Sequence, residues 1–397
     1  MYPAPPLTST HDFFMDRKDY VSHKDSEKYG IPHILRQGVG KSCRERCAVP
    51  FFSVFLSQNK HAMERFRVGI LGAGHIAVKM ARTLRGMEGV EPYAIASRDG
   101  AKAAAFAREH GFTRSYGSYG ELAADPDVDL VYIATPHSHH YPQARMCLEC
   151  GKPVLCEKAF TANAAEAEAL IRLSERQGLF LGEAIWTRYM PFTATVAELV
   201  RSGAVGRARM LTANLGYAIA DKERIVRPEL CGGALLDLGV YPINFAFALF
   251  GTEVESVVSS CVKGPSGVDM QESITFRYGD GRMAVLSATA CCATDRQGIV
   301  SGDGGYLVVD NINDSCTAEV YDTSHRLVAR HVCPPKLTGF EYEVASAVEA
   351  IRAGRCEPRE MPHAETLRVM RLLDSLRAAW GVRYPQDGLE HLSTLGL

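Results

Sequence analysis

The sequence predicts an α/β chain with two folded domains, and three patterns support that prediction. Strand-length apolar runs alternate with Ala-rich helical segments between residues 67 and 185. Beyond Trp186, strand-like runs follow one another without helices between them. A glycine-rich turn at 72–77 joins the first strand to the first helix. These patterns are typical of an N-terminal Rossmann domain plus a C-terminal α+β domain with a large, mostly antiparallel open sheet.

The first half of the chain has the rhythm of a parallel sheet covered by helices on both faces. Its glycines Gly111, Gly151 and Gly178 stand where the C-caps of helices belong. Periodicity predicts strands at 67–72, 90–97, 129–134, 153–156 and 179–183, and helices at 75–86, 100–110, 138–150 and 163–177.

The second half has a different rhythm. Helical periodicity predicts helices near 190–202, 239–250, 338–353 and 363–380. Alternating runs predict strands at 206–217, 254–263, 271–278, 283–291, 297–302 and 304–309, with shorter strands near 317–321 and 326–332. Consecutive strands without crossover helices indicate mostly antiparallel pairing.

Residues 1–62 differ from the rest, because they mix Pro, Ser, Lys, Asp and His without sustained periodicity. We expect them to be an extension that is disordered, loosely attached or not native, with Met63 as the biological start. The two folded domains are then predicted to span 63–185 and 186–397. A chain that begins at Met63 should keep full activity and stability.

Composition argues against several classes of protein. The 397 residues carry a formal net charge of −2 and no basic stripe, so nucleic acid is not an expected partner. Apolar stretches such as 243–250 are shorter than the ~20 residues that span a bilayer, so no membrane is expected. The twelve cysteines are typical of reduced core thiols in the cytoplasm. The thiols expected in the core are those of Cys147, Cys156, Cys261, Cys291 and Cys292.

The turn after the first strand has the spacing of a dinucleotide-binding fingerprint. Gly72 permits a tight turn, and Gly74 lets a pyrophosphate approach the backbone because it has no Cβ. Free N–H groups and the positive end of the helix dipole would face the phosphates. An ordinary strand–helix turn is the alternative for this motif taken alone. The candidate phosphate-binding residues are Gly72, Ala73, Gly74, His75 and Ile76.

Residues after the second strand indicate which nucleotide is bound. Ser97, Arg98 and Lys102 offer a hydroxyl and two cations suited to a 2′-phosphate, which favours NADP over NAD. Asp99 leaves NAD open, because its carboxylate could accept hydrogen bonds from ribose hydroxyls. A solvated helix start capped by Asp99 is the structural alternative.

Three histidines follow the strand predicted at 129–134, at the sheet edge where ligands bind. We expect His140 to be a structural or cofactor-side residue, and His137 and His139 to lie at the surface. The cluster could instead hold a metal together with the Cys-x-x-Cys that follows. No second ligand pair has zinc-finger spacing, however, so no metal is expected.

Lys158 directly follows the strand predicted at 153–156, at the same ligand-binding edge of the sheet as the histidines. Its charge would be costly there unless it were paired or used, and Glu157 could hold it in place. A lysine that simply reaches solvent is the alternative.

Asp237 and Tyr241 are four residues apart, beside a double glycine that is expected to be flexible. They share a face if the segment is helical, and an acid with a phenol could form a proton-transfer pair. A nearby lysine would lower the pKa of the phenol. The alternative is that Asp237 caps a helix and Tyr241 is an ordinary half-buried aromatic.

Together these motifs resemble the Gfo/Idh/MocA oxidoreductase family, from about residue 66 to 386. Within it, the chain is most similar to dimeric dihydrodiol dehydrogenases and NADP-dependent D-xylose dehydrogenases. The family's Glu-Lys-Pro motif is present as Glu157-Lys158-Ala159, and its Thr-Pro-Asn-x-x-His motif as 135–140 with His137 in place of Asn. Many members have His at the position of Tyr241. The dihydrodiol dehydrogenase branch has Tyr there, as this chain does. Residues 183–189 resemble that branch's Glu-Ala-x-Trp-x-Arg segment.

The resemblance implies an NADP-dependent oxidoreductase in which a hydride passes between nicotinamide and a hydroxyl-bearing carbon. Tyr241 would transfer the hydroxyl proton, Lys158 would lower its pKa and stabilise negative charge, and Asp237 would orient Tyr241 or the substrate. Residues 63–185 would bind NADP, and 186–397 would bind substrate and form a homodimer through the open face of the second sheet. Further implied contacts with cofactor or substrate are Thr135, His140, Glu157, Lys158, Trp186 and Arg188.

The substrate stays open among sugars, polyols and trans-dihydrodiols, because the pocket depends on side chains such as Tyr217 in the second sheet. Two other functions also remain open. One is a non-catalytic NADP-binding sensor, although such a protein would need only the glycine fingerprint. The other is a lyase or glycosidase that uses bound cofactor transiently.

Overall fold

The computed structural model describes residues 65–388. The predicted extension 1–62 and the start at Met63 lie outside these residues, as does the segment 389–397. Two sheets, one of six strands and one of eight, organise the described chain.

The six-stranded sheet is parallel throughout. Its strands are β1 (Phe66–Leu71), β2 (Val90–Ala96), β3 (Arg114–Tyr116), β4 (Leu130–Ile133), β5 (Val154–Glu157) and β6 (Leu181–Ala184). The intervening helices are α1 (His75–Gly86), α2 (Gly100–His110), α3 (Tyr119–Ala124), α4 (His140–Glu149) and α5 (Ala164–Gln177). The order β3-β2-β1-β4-β5-β6 reverses direction between β1 and β4, where open sheets of this kind bind their ligands.

Periodicity predicted five of these six strands and four of the five helices. The strand β3 and the helix α3 were missed, because three and six residues are too few to establish a period. Gly111 and Gly178 end their helices in the left-handed conformation, as predicted.

The eight-stranded sheet lies in the order β14-β13-β12-β11-β7-β10-β9-β8. Its strands are β7 (Ala208–Gly216), β8 (Val254–Lys263), β9 (Asp269–Tyr278), β10 (Met283–Thr289), β11 (Gly298–Gly302), β12 (Gly305–Val309), β13 (Thr317–Asp322) and β14 (Leu327–Val332). The accompanying helices are α6 (Pro191–Arg201), α7 (Glu223–Val226), α8 (Val240–Phe250), α9 (Glu341–Arg352) and α10 (His363–Trp380). Only β7 and β10 pair in parallel in this sheet, so the predicted fold class is confirmed.

One face of the large sheet packs on the core, and the other is not covered by any element of the described chain. Leu211, Leu286 and Val300 point inward and are fully buried. Directly paired residues point to the same face of a sheet. One outward row therefore crosses the eight strands through Val258, Thr275, Val285, Thr212, Ile299, Val308, Glu319 and Arg330.

A π-helical turn, Leu235–Gly239, leads directly into α8. The helical stretch Pro228–Phe250 is long and apolar enough to cross a membrane by length and composition alone. It is longer than the apolar stretches noted in the sequence. Because 83% of its apolar window is buried inside the protein, packing in the core accounts for its composition.

The cysteines divide between core and surface. Cys147 and Cys156 are buried, as predicted. Cys291 and Cys292 are exposed and Cys261 is intermediate, so their assignment to the core was wrong. Cys291 and Cys292 follow the end of β10 and lie in a turn. An apolar run in a turn does not imply that its side chains are buried.

Candidate active site

The glycine turn after β1 leaves space where a phosphate would approach. Gly72 has φ +98°, and a Cβ there would lie 2.8 Å from the carbonyl oxygen that follows β4. A Cβ on Gly74 would meet no atom within 4 Å, and α1 starts after it without a side-chain cap. Ala73 and Ile76 pack partly on the core, and His75 is exposed. The uncapped N–H groups and the open space fit a pyrophosphate.

Beyond β2, the residues expected to select the nucleotide surround the start of α2. Ser97 is buried, and Arg98 is exposed, with its guanidinium opposing the rise that burial causes in the pKa of Tyr119. Asp99 Oδ1 accepts two N–H groups of the first helical turn, at 2.9 and 3.1 Å. Lys102 lies exposed in that turn. The capping role considered for Asp99 is therefore observed, and the two cations remain exposed.

The histidines after β4 have different surroundings. His140 lies with one ring nitrogen 2.8 Å from the Thr135 carbonyl oxygen and the other 2.9 Å from that of Ala159, so it ties together the ends of β4 and β5. His137 is buried, with Nδ1 3.1 Å from the Cys231 carbonyl oxygen. Burial lowers the pKa of His137 to about 3, so the ring is neutral. Its predicted surface location was wrong, because the segment before the double glycine covers it.

Lys158 is paired with the residue expected to lie beside it in the site. Its ammonium nitrogen lies 2.8 Å from the Asp237 carbonyl oxygen and 3.3 Å from Oδ1, and the lysine side chain is only 12% exposed. Glu157 instead accepts a hydrogen bond from the Tyr132 phenol. The Glu157 carboxylate still attracts the Lys158 ammonium, but the hydrogen bonds of the lysine go to Asp237.

Arg224, a residue that sequence reasoning missed, also contacts Asp237. Its Nη1 lies 2.6 Å from Asp237 Oδ1, and the arginine is half exposed. Burial alone would raise the pKa of Asp237, but Lys158 and Arg224 hold it well below its ordinary value. The carboxylate is thus ionised between two cations. Arg224 ends the charged run 221–224, which has the pattern of a solvated surface and gave no signal.

Tyr241 lies beside the same ammonium group. Lys158 Nζ is 5.1 Å from the centroid of its ring, and the tyrosine is only 7% exposed. Burial and the Glu157 carboxylate raise the pKa of Tyr241 well above its ordinary value, against a hydrogen bond from Trp186. The expected lowering of this pKa was wrong in direction, because burial and nearby carboxyl groups outweigh the lysine.

The 3₁₀ turn Trp186–Arg188 places its two predicted residues in different surroundings. The Trp186 ring is buried and lies 4.2 Å from the Lys79 ammonium. Arg188 Nη2 lies 2.5 Å from Glu365 Oε2, and the arginine side chain is 12% exposed. Arg188 is therefore engaged in an internal ion pair.

The double glycine before the π-helical turn is tightly packed. A Cβ on Gly232 would lie 2.5 Å from the Ile225 carbonyl oxygen. Gly233 has φ +122°, and its Cβ would lie 2.4 Å from Asp269 Oδ1. The same Asp269 accepts the Leu235 N–H at 2.6 Å. The expected flexibility was wrong, since these glycines are required for close packing beneath Asp237.

Two further groups complete the description. Tyr217, just after β7, accepts hydrogen bonds from Arg296 Nη1 at 3.3 Å and Asn313 Nδ2 at 3.2 Å. Between residues 65 and 388, no three His, Cys, Asp or Glu side chains are placed to hold a metal. The Cys-x-x-Cys of α4 has Cys147 buried and Cys150 exposed.

Family models match both halves of the described chain. The model of the oxidoreductase family with NAD-binding Rossmann fold matches residues 66–184. The model of the GFO/IDH/MocA C-terminal domain matches residues 193–308.

The chain matches curated relatives over nearly their whole length. A trans-1,2-dihydrobenzene-1,2-diol dehydrogenase from Danio rerio is 33% identical, over 81% of this chain and 98% of that protein. A D-xylose 1-dehydrogenase (NADP(+)) from Hypocrea jecorina is 32% identical, over 80% of this chain and 93% of that protein.

Solved structures have the same fold. KijD10, a 3-ketoreductase from Actinomadura kijaniata in complex with NADP and TDP-benzene, is 26% identical with a TM-score of 0.72, over 79% of this chain and 97% of that one. Structures of this neighbour also include two variants of one lysine and one tyrosine variant. An aldose-aldose oxidoreductase from Caulobacter crescentus, 24% identical with a TM-score of 0.73, covers 80% of this chain and 98% of that one.

Proposed function

This chain belongs to the Gfo/Idh/MocA family of oxidoreductases, and from that premise we propose that it is an NADP-dependent dehydrogenase. It oxidises a hydroxyl-bearing carbon of a sugar, a polyol or a trans-dihydrodiol, or reduces the corresponding carbonyl carbon in the reverse direction. Its relatives support these substrate classes, since they are dihydrodiol and D-xylose dehydrogenases. The bound nicotinamide supplies or accepts the hydride.

The observation that carries the proposal is the position of one ammonium group. Lys158 Nζ contacts Asp237 and lies beside the ring of Tyr241, at the end of β5 where open sheets bind ligands. A sensor that only binds a nucleotide would need the glycine turn and not this pairing. The arrangement supports proton transfer at a substrate oxygen.

Tyr241 serves as the acid or base in this mechanism. The phenol is protonated at neutral pH and can donate to a carbonyl oxygen in the reducing direction, although burial raises its pKa and so makes it a weaker acid. The Lys158 ammonium stabilises negative charge that develops on that oxygen. Asp237 holds the ammonium in place, because it offers both a carbonyl and a carboxylate oxygen.

The residues around the glycine turn fit a dinucleotide. Gly74 leaves open space, and the start of α1 has no side-chain cap, so backbone N–H groups can bind a pyrophosphate. Arg98 and Lys102 are exposed cations at the end of β2, where a 2′-phosphate would lie. These features support NADP as the preferred nucleotide.

A first experiment tests the reaction class. The protein is screened for reduction of NADP by aldoses, deoxysugars, polyols and trans-dihydrodiols. Turnover with one class supports the proposal and identifies the substrate. Tight binding of NADP without turnover on any of them would favour the sensor. Cofactor that survives purification without net production of NADPH would favour the lyase or glycosidase.

Tyr241→Phe tests the proton-transfer role. We expect kcat to fall about 10²-fold or more, because that is the usual scale for a general acid or base. The Kd for NADPH should stay unchanged, since the phenol oxygen is not needed for nucleotide binding. Tyr278→Phe is the control, because its phenol is buried without a hydrogen-bond partner among the described residues. Near-wild-type turnover by Tyr241→Phe would remove the phenol from the mechanism.

We also propose a homodimer through the outward face of the eight-stranded sheet. Apolar side chains such as Val258, Met210 and Met283 are exposed on or beside this face. An open sheet face of this kind suits burial against a second copy. The cytoplasmic location stays a prediction.

A further inference from the structure

A half-buried lysine contacts the ring of Trp186. Lys79, in the second turn of α1, has its ammonium 4.2 Å from the Trp186 ring centroid and 4.0 Å from that of Phe340. The two rings are themselves in contact, with centroids 5.2 Å apart. A cation over two aromatic faces attracts both rings, and the attraction grows when the site is desolvated. Lys79 therefore holds the indole from one side.

The segment 337–340, which precedes α9, holds the indole from a second side. Gly339 has φ +92°, and a Cβ there would lie 2.3 Å from Trp186 Cζ3, so the backbone lies directly on the ring. Glu341 fixes this segment by accepting the N–H groups of residues 337, 338 and 339. Thr338 Oγ1 lies 2.6 Å from Thr83 Oγ1 on α1. The segment is thus attached to the helix that carries Lys79.

The polar edge of the indole meets the candidate acid or base. The 3₁₀ turn that carries Trp186 packs against α8, which carries Tyr241. Trp186 opposes the rise in the pKa of Tyr241, so the indole lies close to the phenol. An indole nitrogen can only donate, so in a hydrogen bond between the two groups the phenol oxygen is the acceptor. Rotation of the ring would therefore move the donor away from the phenol oxygen.

Carboxyl groups near Lys79 favour its charge, but they do not require the ammonium to lie against two aromatic rings. Burial lowers the pKa of Lys79, while Asp314, Glu343 and Glu157 favour its charged form. Both carboxylate oxygens of Glu343 are buried without a hydrogen-bond partner among residues 65–388. A methionine or leucine would fill the same space between two aromatic rings without burying a charge. A retained ammonium between the rings is better explained by the orientation that it imposes.

We propose that Lys79 is a positioning residue: together with Phe340 and Gly339 it fixes the Trp186 indole as the hydrogen-bond donor to the Tyr241 phenol oxygen. This rests on the proposed function for the role of Tyr241, but the clamp itself is a statement about the indole. Because Lys79 and the glycine turn share helix α1, the clamp also joins the proposed nucleotide site to the proton-transferring group.

Intrinsic fluorescence tests the clamp without a substrate. The chain has two tryptophans, so in a Trp380→Phe background the emission comes from Trp186 alone. Lys79→Met should change the emission maximum and increase acrylamide quenching, because the ring loses one of its restraints. Lys79→Arg should restore most of both signals, since a guanidinium also binds aromatic faces. Arg108→Met, at an exposed arginine of α2, is the control for loss of a charge.

Two more variants in the same background test the remaining links. Phe340→Leu should loosen the indole with the charge of Lys79 intact, so it answers the question even if Lys79→Met unfolds. Tyr241→Phe should shift the emission to shorter wavelength, because the indole N–H loses its acceptor. Unchanged emission and quenching in Phe340→Leu and Lys79→Met would overturn the clamp. Unchanged emission in Tyr241→Phe would overturn the link to the phenol.

Kinetics provide a readout that a merely structural role would not move. With a substrate found by the screen, Lys79→Met should lower kcat about 10-fold or more, since small misplacement of a catalytic group can cost about 10²-fold. KM for NADP should stay unchanged, and the basic limb of the pH profile should shift upward as the phenol loses its donor. A fluorescence change with wild-type kcat and pH profile would overturn the positioning role. If no substrate is turned over, the proposed function fails and the fluorescence result still decides the clamp.

Discussion

Individual charged residues in the site are placed in pairs or triads that make their burial tolerable. Asp237 is nearly inaccessible, yet it lies within 3.3 Å of Lys158 and 2.6 Å of Arg224. A buried carboxylate with one partner removed would be strongly destabilised. Each of the three residues therefore has a structural role in addition to any catalytic one. Kinetic effects of substituting them have to be read beside the unfolding free energy.

Arg98→Ala tests the choice of nucleotide at the scale of one side chain. The Kd for NADPH should rise about 10-fold or more, because a hydrogen bond to a charged group contributes about 1.5–3 kcal/mol. The Kd for NADH should hardly change, since NADH lacks the 2′-phosphate. Arg108→Ala, at the exposed end of the same helix, is the control. Equal weakening of both nucleotides would count against the 2′-phosphate role.

Glu183 predicts a pH dependence of stability. Burial raises the pKa of Glu183 from 4.5 to about 7, while Thr366 and Arg188 oppose the shift. The folded protein then binds the proton more tightly than the unfolded chain does. Its contribution is fully present below about pH 4.5 and is lost as the pH rises through 7, a change of about 3 kcal/mol.

Glu183→Gln should therefore reduce the decline in unfolding free energy between pH 5 and pH 8 by up to that amount. Urea unfolding of both proteins at the two pH values measures the difference. Glu88→Gln, an exposed carboxylate, should leave the decline unchanged. An identical decline in Glu183→Gln and wild type would contradict the raised pKa.

Some residues of the site could be predicted from the sequence, and their partners could not. A lysine after a buried strand indicates a ligand-facing edge, so Lys158 could be found from its own neighbours. Its ion-pair partner is 79 residues away, on a π-helical turn that no periodicity reveals. Arg224 and Lys79 were missed for the same reason, because their contacts arise only from long-range packing.

The first helix, α1, is the element that contributes most to the proposed nucleotide site. Helix α1 has no side-chain cap, so its first N–H groups remain available to a ligand. The same helix carries Lys79 and Thr83, which contact Trp186 and Thr338. One element thus presents its N-terminus to the proposed phosphate site and its second turn to the clamp around the indole.

Gly74→Ala separates binding from folding at this helix start. A Cβ would meet no protein atom within 4 Å, and φ −98° is accessible to alanine, so stability should be unchanged or slightly increased. The Kd for NADPH should rise, because the methyl group occupies the space through which a pyrophosphate approaches. Calorimetry and thermal unfolding measure the two effects. Gly120→Ala, which also meets open space but lies in helix α3, should leave NADPH binding unchanged and raise Tm slightly. Unweakened binding would refute this position for the phosphates.

Long elements were predictable because they have a clear period. Helix α10 was predicted with the same ends, 363–380, and α1 with 75–86. The short helix α7 was missed, since four residues make only one turn. The parallel pairing of β7 with β10 could not be read either, because it joins strands separated by β8 and β9 in the sequence.

At the scale of the whole molecule, the main feature is that the outward face of the eight-stranded sheet leaves apolar side chains exposed. Met283 pairs with Met210 where β10 begins, and each is about 40% exposed. Apolar side chains flanked by polar ones such as Arg277, which pairs with Met283, resemble the arrangement of interfaces between protein chains. Burial of this face against a second copy would explain why the eight strands leave it exposed in a single chain.

Met283→Asp tests the dimer. A charge within the proposed interface should halve the mass in sedimentation or light scattering, because its burial against a second copy would be costly. The monomer should keep its far-ultraviolet spectrum, since the residue faces outward. Met283→Leu should preserve the wild-type mass. A wild-type monomer, or an Asp variant with unaltered mass, would disprove this interface.

The π-helical turn Leu235–Gly239 has a consequence for the lysine beside it. Lys158 lies closer to the main-chain oxygen of residue 237, at 2.8 Å, than to the carboxylate oxygen, at 3.3 Å. A main-chain oxygen remains whatever side chain the residue carries. A descendant of this protein could therefore exchange its acid for another group, and with it acquire new chemistry, while inheriting the ammonium in the same location.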